Sequence, residues 1–179
     1  KDSDGNIVTK EITITVLSNN APVINGAGNI TIKVGQVDKF NLLSGVTVTD
    51  DHDKNLSVTV SGKINKPSAG SNLTSKIIYT VKDSDGNTTT VTRVIIVTNQ
   101  LPKIVAKDIT IKATNTINLL TDSRIGLDAT DHEDGNKKSS ITVKSTGGLN
   151  TSNPSKGTYK VIYEVKDSDN NTATKEIKI

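Results

Sequence analysis

The 179-residue chain is only 2% aromatic and lacks Cys, Met and Trp, so its core must be built from Ile, Val and Leu around Phe40, Tyr79, Tyr159 and Tyr163. Zero Cys excludes disulfides and cysteine-ligated metal sites, and no apolar run approaches the roughly 20 residues that cross a bilayer as a helix, so membrane insertion is not expected. The formal net charge of +3 is carried by scattered lysines; Lys137-Lys138 is the most compact basic spot and has no aromatic beside it to stack a base, which argues against nucleic acid as a partner.

The chain opens on KDSDGN at residues 1–6, and the same hexapeptide returns at 82–87 and, as KDSDNN, at 166–171. Asp2, Asp83 and Asp167 are equivalent, 81 and 84 residues apart. A period near 80 is too long for a solenoid repeat and suits a whole β-sandwich domain. Each hexapeptide lies between alternating runs, so it reads as a hairpin turn whose glycine supplies a positive φ. The third copy has Asn170 in place of that glycine, and Asn is the side chain that best tolerates the left-handed region.

Residues 1–18 read as the final hairpin turn and last strand of a preceding repeat, with Ile12, Ile14 and Val16 on one face. A strand of this kind needs a partner, either in a longer array from which the segment was cut or in another copy, and the cut is preferred. The start at Lys1 rather than Met points the same way, to an interior fragment or a processed product.

Residues 20–98 form the first complete repeat. NITIK at 29–33, FNLL at 40–43, VTDDHDKN at 48–55 and KIIYTVKDSDGN at 76–87 follow in order. Ile77, Tyr79 and Val81 alternate on a core face, while Val94 and Ile96 are expected on the core face of the next strand, with Thr and Arg opposite. Residues 99–179 repeat the plan with DITIK at 108–112, INLL at 117–120, ATDHEDGN at 129–136 and KVIYEVKDSDNN at 160–171, placing Val161, Tyr163 and Val165 inward, then Ile177 and Ile179. Thr enrichment suits wet strand faces and no stretch carries a helical period, so the fold class is all-β, tandem sandwiches.

These landmarks, above all the Y-x-V-x-D-S-D-G-N run at residues 79–87, resemble the bacterial immunoglobulin-like domains found in tandem in Gram-positive surface proteins and beside some crystal insecticidal toxins. The resemblance covers residues 20–98, 99–179 and the tail end at 1–17. It implies immunoglobulin-like β-sandwiches without activity of their own, serving as spacers or as adhesive modules on a cell surface, in a cell wall or in a secreted protein. Two departures from the pattern are Asn170 for the hexapeptide glycine and Lys54 where the other copy has Gly135.

Calcium is the cofactor that the acidic loops bring to mind, and no other is indicated. Asp50, Asp51 and Asp53 crowd one loop, and Asp131, Glu133 and Asp134 its equivalent, more densely than a turn requires. Such loops supply the hard oxygens calcium takes, six to eight of them at about 2.3–2.6 Å. The hexapeptides fail as helix-loop-helix calcium loops, because the glycine comes two positions early and the closing glutamate is missing. His52 and His132 each stand alone among carboxylates, as solvated histidines rather than zinc ligands. No nucleophile elbow, phosphate-binding loop or cleft-flanked carboxylate pair is present, so no enzyme is expected. The expected function is an extracellular, non-catalytic structural spacer whose partners are neighbouring domains of its array. The alternatives are an adhesion module for a host or cell-surface ligand and a self-assembling subunit that donates residues 1–18 to another copy.

Overall fold

Apolar residues alternating with Thr and Lys produce strands throughout, and the computed structural model, which describes Lys1–Ile179, is all-β apart from short 3-10 turns at Val34–Lys39 and Lys138–Ser140. The first repeat contains β1 (Val23–Asn25), β2 (Ile30–Lys33), β3 (Thr47–Thr49), β4 (Val58–Ser61), β5 (Ser71–Lys82) and β6 (Thr88–Asn99). β1 pairs with β3, and a second sheet runs β2-β6-β5-β4, in which β2 lies parallel to β6 and the other pairs are antiparallel. β5 and β6 form a long hairpin closed around the hexapeptide, with Lys82 opposite Thr88. Ile24 from β1, Ile32 from β2 and Ile77, Tyr79 and Val81 from β5 meet in one core.

The β6 expectation is corrected. Arg93, Ile95 and Val97 face the core, whereas Ile96 is 38% exposed. Arg93 is only 3% exposed, and it can lie inward because backbone carbonyls receive it: its Nε donates to Gly28 O at 2.9 Å, and its terminal nitrogens donate to Gly26 O and Leu42 O. The guanidinium carbon also sits 5.5 Å from the Tyr79 ring centroid. A cation so fully hydrogen-bonded and stacked is tolerated inside a sandwich.

The second repeat contains β7 (Lys103–Val105), β8 (Asp128–Asp131), β9 (Gly135–Asn136), β10 (Thr142–Ser145), β11 (Lys160–Lys166) and β12 (Thr172–Lys178), in sheets β7-β8-β9 and β10-β11-β12. Its core shares no residue with the first and gathers Ile104, Ile125, Val161, Tyr163, Val165 and Ile177 among others. The DITIK segment, expected to repeat β2, joins no sheet. It is tied to β12 by Ile109 N–H on Lys178 O at 3.1 Å, and Asp108 Oδ1 accepts the Lys178 N–H at 2.8 Å, as Asn29 Oδ1 accepts the Val94 N–H at 2.8 Å beside β2.

Tyr79 and Tyr163 are both fully buried. Their hydroxyls donate to Leu42 O at 2.6 Å and Leu119 O at 2.8 Å, pinning the FNLL and INLL turns to the hairpin strands. Burial, then the charge of Asp122, pushes the Tyr163 hydroxyl up to about 12.

Residues 1–6 fold into the hexapeptide turn, with Asp2 N–H on Asn6 O at 2.9 Å. The strand expected after it joins no sheet of this chain, and Ile12, Ile14 and Val16 are 70%, 78% and 89% exposed.

Candidate functional site: the acidic junctions

The hexapeptides owe their shape to their first Asp and last Asn. Asp83 Oδ1 accepts Asn87 N–H at 2.7 Å while Asn87 Nδ2 returns to Asp83 Oδ2 at 2.8 Å, and Asp167 with Asn171 repeats both bonds at 2.8 and 2.7 Å. Gly86 has φ +100° and Asn170 φ +71°, so the third copy keeps the left-handed position with a side chain that bears it.

The acidic loops are built alike. Asp50 Oδ1 accepts the N–H groups of His52 and Asp53 at 2.9 and 2.8 Å, and Asp131 Oδ1 accepts those of Glu133 and Asp134, both at 2.8 Å. Each loop then reaches the hairpin of its own repeat. Asp53 accepts Ser84 N–H at 2.7 Å and its hydroxyl at 3.0 Å; Asp134 accepts Ser168 N–H at 2.7 Å and its hydroxyl at 2.6 Å.

Loop and hairpin together grip the incoming chain. Asn87 Nδ2 donates to Asn19 Oδ1 at 3.1 Å, and Asn20 Nδ2 donates to Asp51 Oδ2 at 2.8 Å. One repeat later Asn171 Nδ2 donates to Asn99 Oδ1 at 2.7 Å, and Gln100 N–H points between both oxygens of Glu133 at 3.2 Å. The first repeat closes on this second junction as well. Lys33 Nζ donates to Glu133 O, Gln100 Nε2 donates to Asn72 Oδ1 at 2.8 Å, and a Cβ on Gly35 would stand 2.9 Å from Asp169 Oδ1.

The six acidic residues singled out from the sequence therefore divide between two junctions. Asp50, Asp51 and Asp53 lie at the first, with Asp51 exposed. Asp131 and Glu133 are buried at the second, Asp134 partly so. The hairpin residues Asp167 and Asp169 are legible in the sequence as further oxygen donors, but which loop they meet is not, and Lys33, expected to face water, instead reaches Glu133 O.

Charge is balanced differently at the two places. His52 Nδ1 lies 3.0 Å from Asp51 Oδ1, and the hydrogen bond and charge of Asp51, helped by Asp50 and Asp85, raise the imidazole above its ordinary value. Single oxygens or nitrogens of Asp50, Asp51 and His52 lie within 4.8 Å of one another, a spacing that fits one coordination sphere. At the second junction His132 is exposed and Glu133 takes the place of His52. Ser168 hydrogen bonding, then Lys137 at 3.0 Å, holds Asp134 down at about 2 against the effect of burial. Asp169 is pushed up by burial, then by Asp167, Asp134, Glu133 and Asp131. Two buried side-chain oxygens in the whole chain have no hydrogen-bond partner, Asp50 Oδ2 and Asp131 Oδ2, and they occupy equivalent places.

Elsewhere, a groove of about 390 Å³ is lined by Ile111, Leu149, Lys156 and Tyr159 among others, without Asp, Glu or His. No helix is long and apolar enough to cross a membrane.

The chain is thus an all-β protein of sandwich type with two separate hydrophobic cores joined through hydrogen-bonded turns. Residues 22–97 match the model of the family described as bacterial surface protein, Ig-like domain. The chain is 31% identical over 155 residues to the pesticidal crystal protein Cry22Aa of Bacillus thuringiensis, across 86% of this chain and 21% of that protein. It is 32% identical over 160 residues to an uncharacterized 81.3 kDa protein of Acholeplasma phage L2, across 84% and 21%. The chain thus spans about a fifth of the length of these curated relatives. Among solved structures it is similar to Clostridium perfringens ZmpB, in a structure of CBM51-2 in complex with GlcNAc and INT domains, at 22% identity and a TM-score of 0.36, covering 86% of this chain and 26% of that one. It is also similar to Drosophila N-cadherin EC1-4, at 15% identity and a TM-score of 0.39, covering 89% and 49%.

Proposed function

We propose that this chain is a non-catalytic extracellular spacer, a stretch of tandem domains that holds a functional end at a fixed distance. The observation that carries the reading is the second junction, where Asn99 and Gln100 are gripped by Asn171 and Glu133 on one side and Asn72 on the other. A linker held from both sides bends less than a free one, and a spacer needs that. Its partners in this reading are the neighbouring domains of its array. Small-angle scattering tests it: a narrow distribution of maximum dimension supports a spacer, and a broad one reporting free pivoting at Asn99–Gln100 rejects it.

A second reading rests on the exposed Ile12, Ile14 and Val16, which leave a strand-forming segment unpaired. In it, residues 1–18 add to a sheet edge of another copy. Analytical ultracentrifugation across a concentration series separates the two, since only strand donation gives association that deletion of residues 1–18 abolishes.

A further inference from the structure

We propose that the groove beside Ile179 is a strand-acceptor slot that takes residues 15–18 of a second copy, so that copies join head to tail. The proposal names the acceptor for strand donation and rests on that second reading.

The first repeat shows what occupies such a groove. There β6 runs on past Ile95, and Ile96–Asn99 lie between β2 and the start of β5: Thr31, Ile32 and Lys33 pair with Ile96, Val97 and Thr98 on one side, while Leu73 faces Val97 and Ser71 faces Asn99 on the other. Ile179 is the counterpart of Ile95, as Asp167 is of Asp83, 84 residues on. The pairing matches the first repeat up to this residue. Tyr159 and Ile179 exchange both N–H bonds at 2.8 and 3.0 Å, and Asp108 takes the Lys178 N–H as Asn29 takes that of Val94. Past Ile179 the lane is an open groove of about 390 Å³, with Thr110 and Ile111 along one side, residues 154–159 along the other, and the buried Leu149 also lining it. Thr110–Lys112 thus lacks the neighbour that β6 gives β2, and both sides of the lane are unpaired strand edges.

The chain carries a segment that fits. With Asp2 equivalent to Asp83, Ile14 corresponds to Ile95 and Val16 to Val97, which is fully buried. Val16 is 89% exposed and its segment joins no sheet, so no ladder has to break to donate it. Ile179 already holds the place of Ile14, so the donor leaves the sheet there and residues 15–18 continue the lane with Val16 turned inward. Main-chain bonds to both edges give the affinity, and the inward side chain sets the register.

A copy seated in this way repeats the joint already present inside the chain. Ile96–Asn99 lead straight into the linker held by Asn171 and Glu133, and residues 15–18 lead into Asn19 and Asn20, held by Asn87 and Asp51. Lys112, the counterpart of Lys33, is exposed beside the groove, and it meets the loop of Asp50, Asp51 and Asp53 as Lys33 meets the loop of Asp131, Glu133 and Asp134. An unrelated strand offers the ladder bonds without this second contact, which favours another copy as the occupant. Donor and acceptor are different surfaces on different repeats, so the contact is heterologous and builds open-ended rows.

Sedimentation velocity of the full chain over a concentration series tests the slot. The weight-average mass is expected to rise with concentration past that of a dimer. Val16→Lys, at a position exposed in the free chain, should weaken association about tenfold or more. A chain lengthened after Ile179 by Ile-Val-Thr-Asn, the sequence of residues 96–99, fills the groove from its own β12, and it should melt at a higher temperature and stay monomeric. Association that persists in the lengthened chain yet is lost in Val16→Lys overturns this groove as the acceptor and leaves strand donation to another edge standing. A monomer at every concentration overturns both. A lengthened chain that melts no higher than the parent overturns the slot.

Discussion

Asn171 donates its side-chain N–H to the side-chain oxygen of Asn99 at 2.7 Å, and Asn87 stands in the same relation to Asn19 at 3.1 Å. The last residue of the hexapeptide is thereby both the closing strut of its own turn and the hook that takes the incoming chain. This dual use accounts for the Asn at 87 and 171 more fully than turn chemistry alone does.

Replacing that hook should therefore have two effects. Asn171→Ala removes the bonds to Asp167 and to Asn99 together and should destabilise the second domain by about 1–2 kcal/mol. Urea unfolding measures it, and hydrogen exchange at Gln100 should quicken in the same variant. An unchanged exchange rate there would mean the Asn99 contact does not hold the linker.

The hexapeptide's left-handed position gives a cleaner test of backbone strain. Asn170, at φ +71°, bears a conformation that glycine adopts freely, so Asn170→Gly should be neutral or stabilise by up to about 1 kcal/mol. Gly86→Val, at φ +100°, should cost more than that, because β-branching is worst there. The pair of denaturation midpoints decides whether turn geometry or side-chain bonding dominates at this site.

Arg93 is a third test, and the residue whose burial the sequence conceals. Arg93→Leu keeps bulk but leaves the carbonyls of Gly26, Gly28 and Leu42 without their donor, so a loss of about 3 kcal/mol is expected in the first domain. Ile96→Thr, on the wet face, should stay within about 0.5 kcal/mol. Similar losses in both variants would return the core to the Val94–Ile96 face.

Acid should loosen the second domain through Asp134. Its folded carboxyl is held at about 2, mainly by Ser168, against an ordinary value of 3.8, so the group binds protons more readily unfolded than folded. Its contribution is complete above about pH 4 and is lost as pH falls toward about 2. Ser168→Ala should flatten that stretch of the stability curve, read from melts in chelator so that metal plays no part.

Much of the fold was legible because Tyr79 and Tyr163 alternate with Ile and Val over runs too regular to misread, and because Asp-Gly between such runs dictates a tight hairpin. The face of β6 was not, since Val91, Ile95 and Val97 compete with Val94 and Ile96 for the core. The choice is made by carbonyls at Gly26, Gly28 and Leu42, distant in sequence from Arg93. DITIK looked like a copy of β2 and keeps the side-chain bond Asn29 makes there, now from Asp108, yet it is tied to β12 by Ile109 N–H on Lys178 O rather than by a ladder. At the junctions, the turn chemistry of Asp50 and Asp131 was readable from residue type. Their convergence with hairpins more than 30 residues away depends on how the sandwich closes, which local pattern does not encode.

Each junction draws its loop and its hairpin from the repeat that follows the linker, and at the second the preceding domain adds Lys33, Asn72 and Asn99, the last residue of β6. The connector is consequently inherited with the domain. A duplication of one such segment of gene copies the hinge parts along with the sandwich, so an array of this kind can be lengthened or shortened by whole units, each new copy arriving already fitted to be joined.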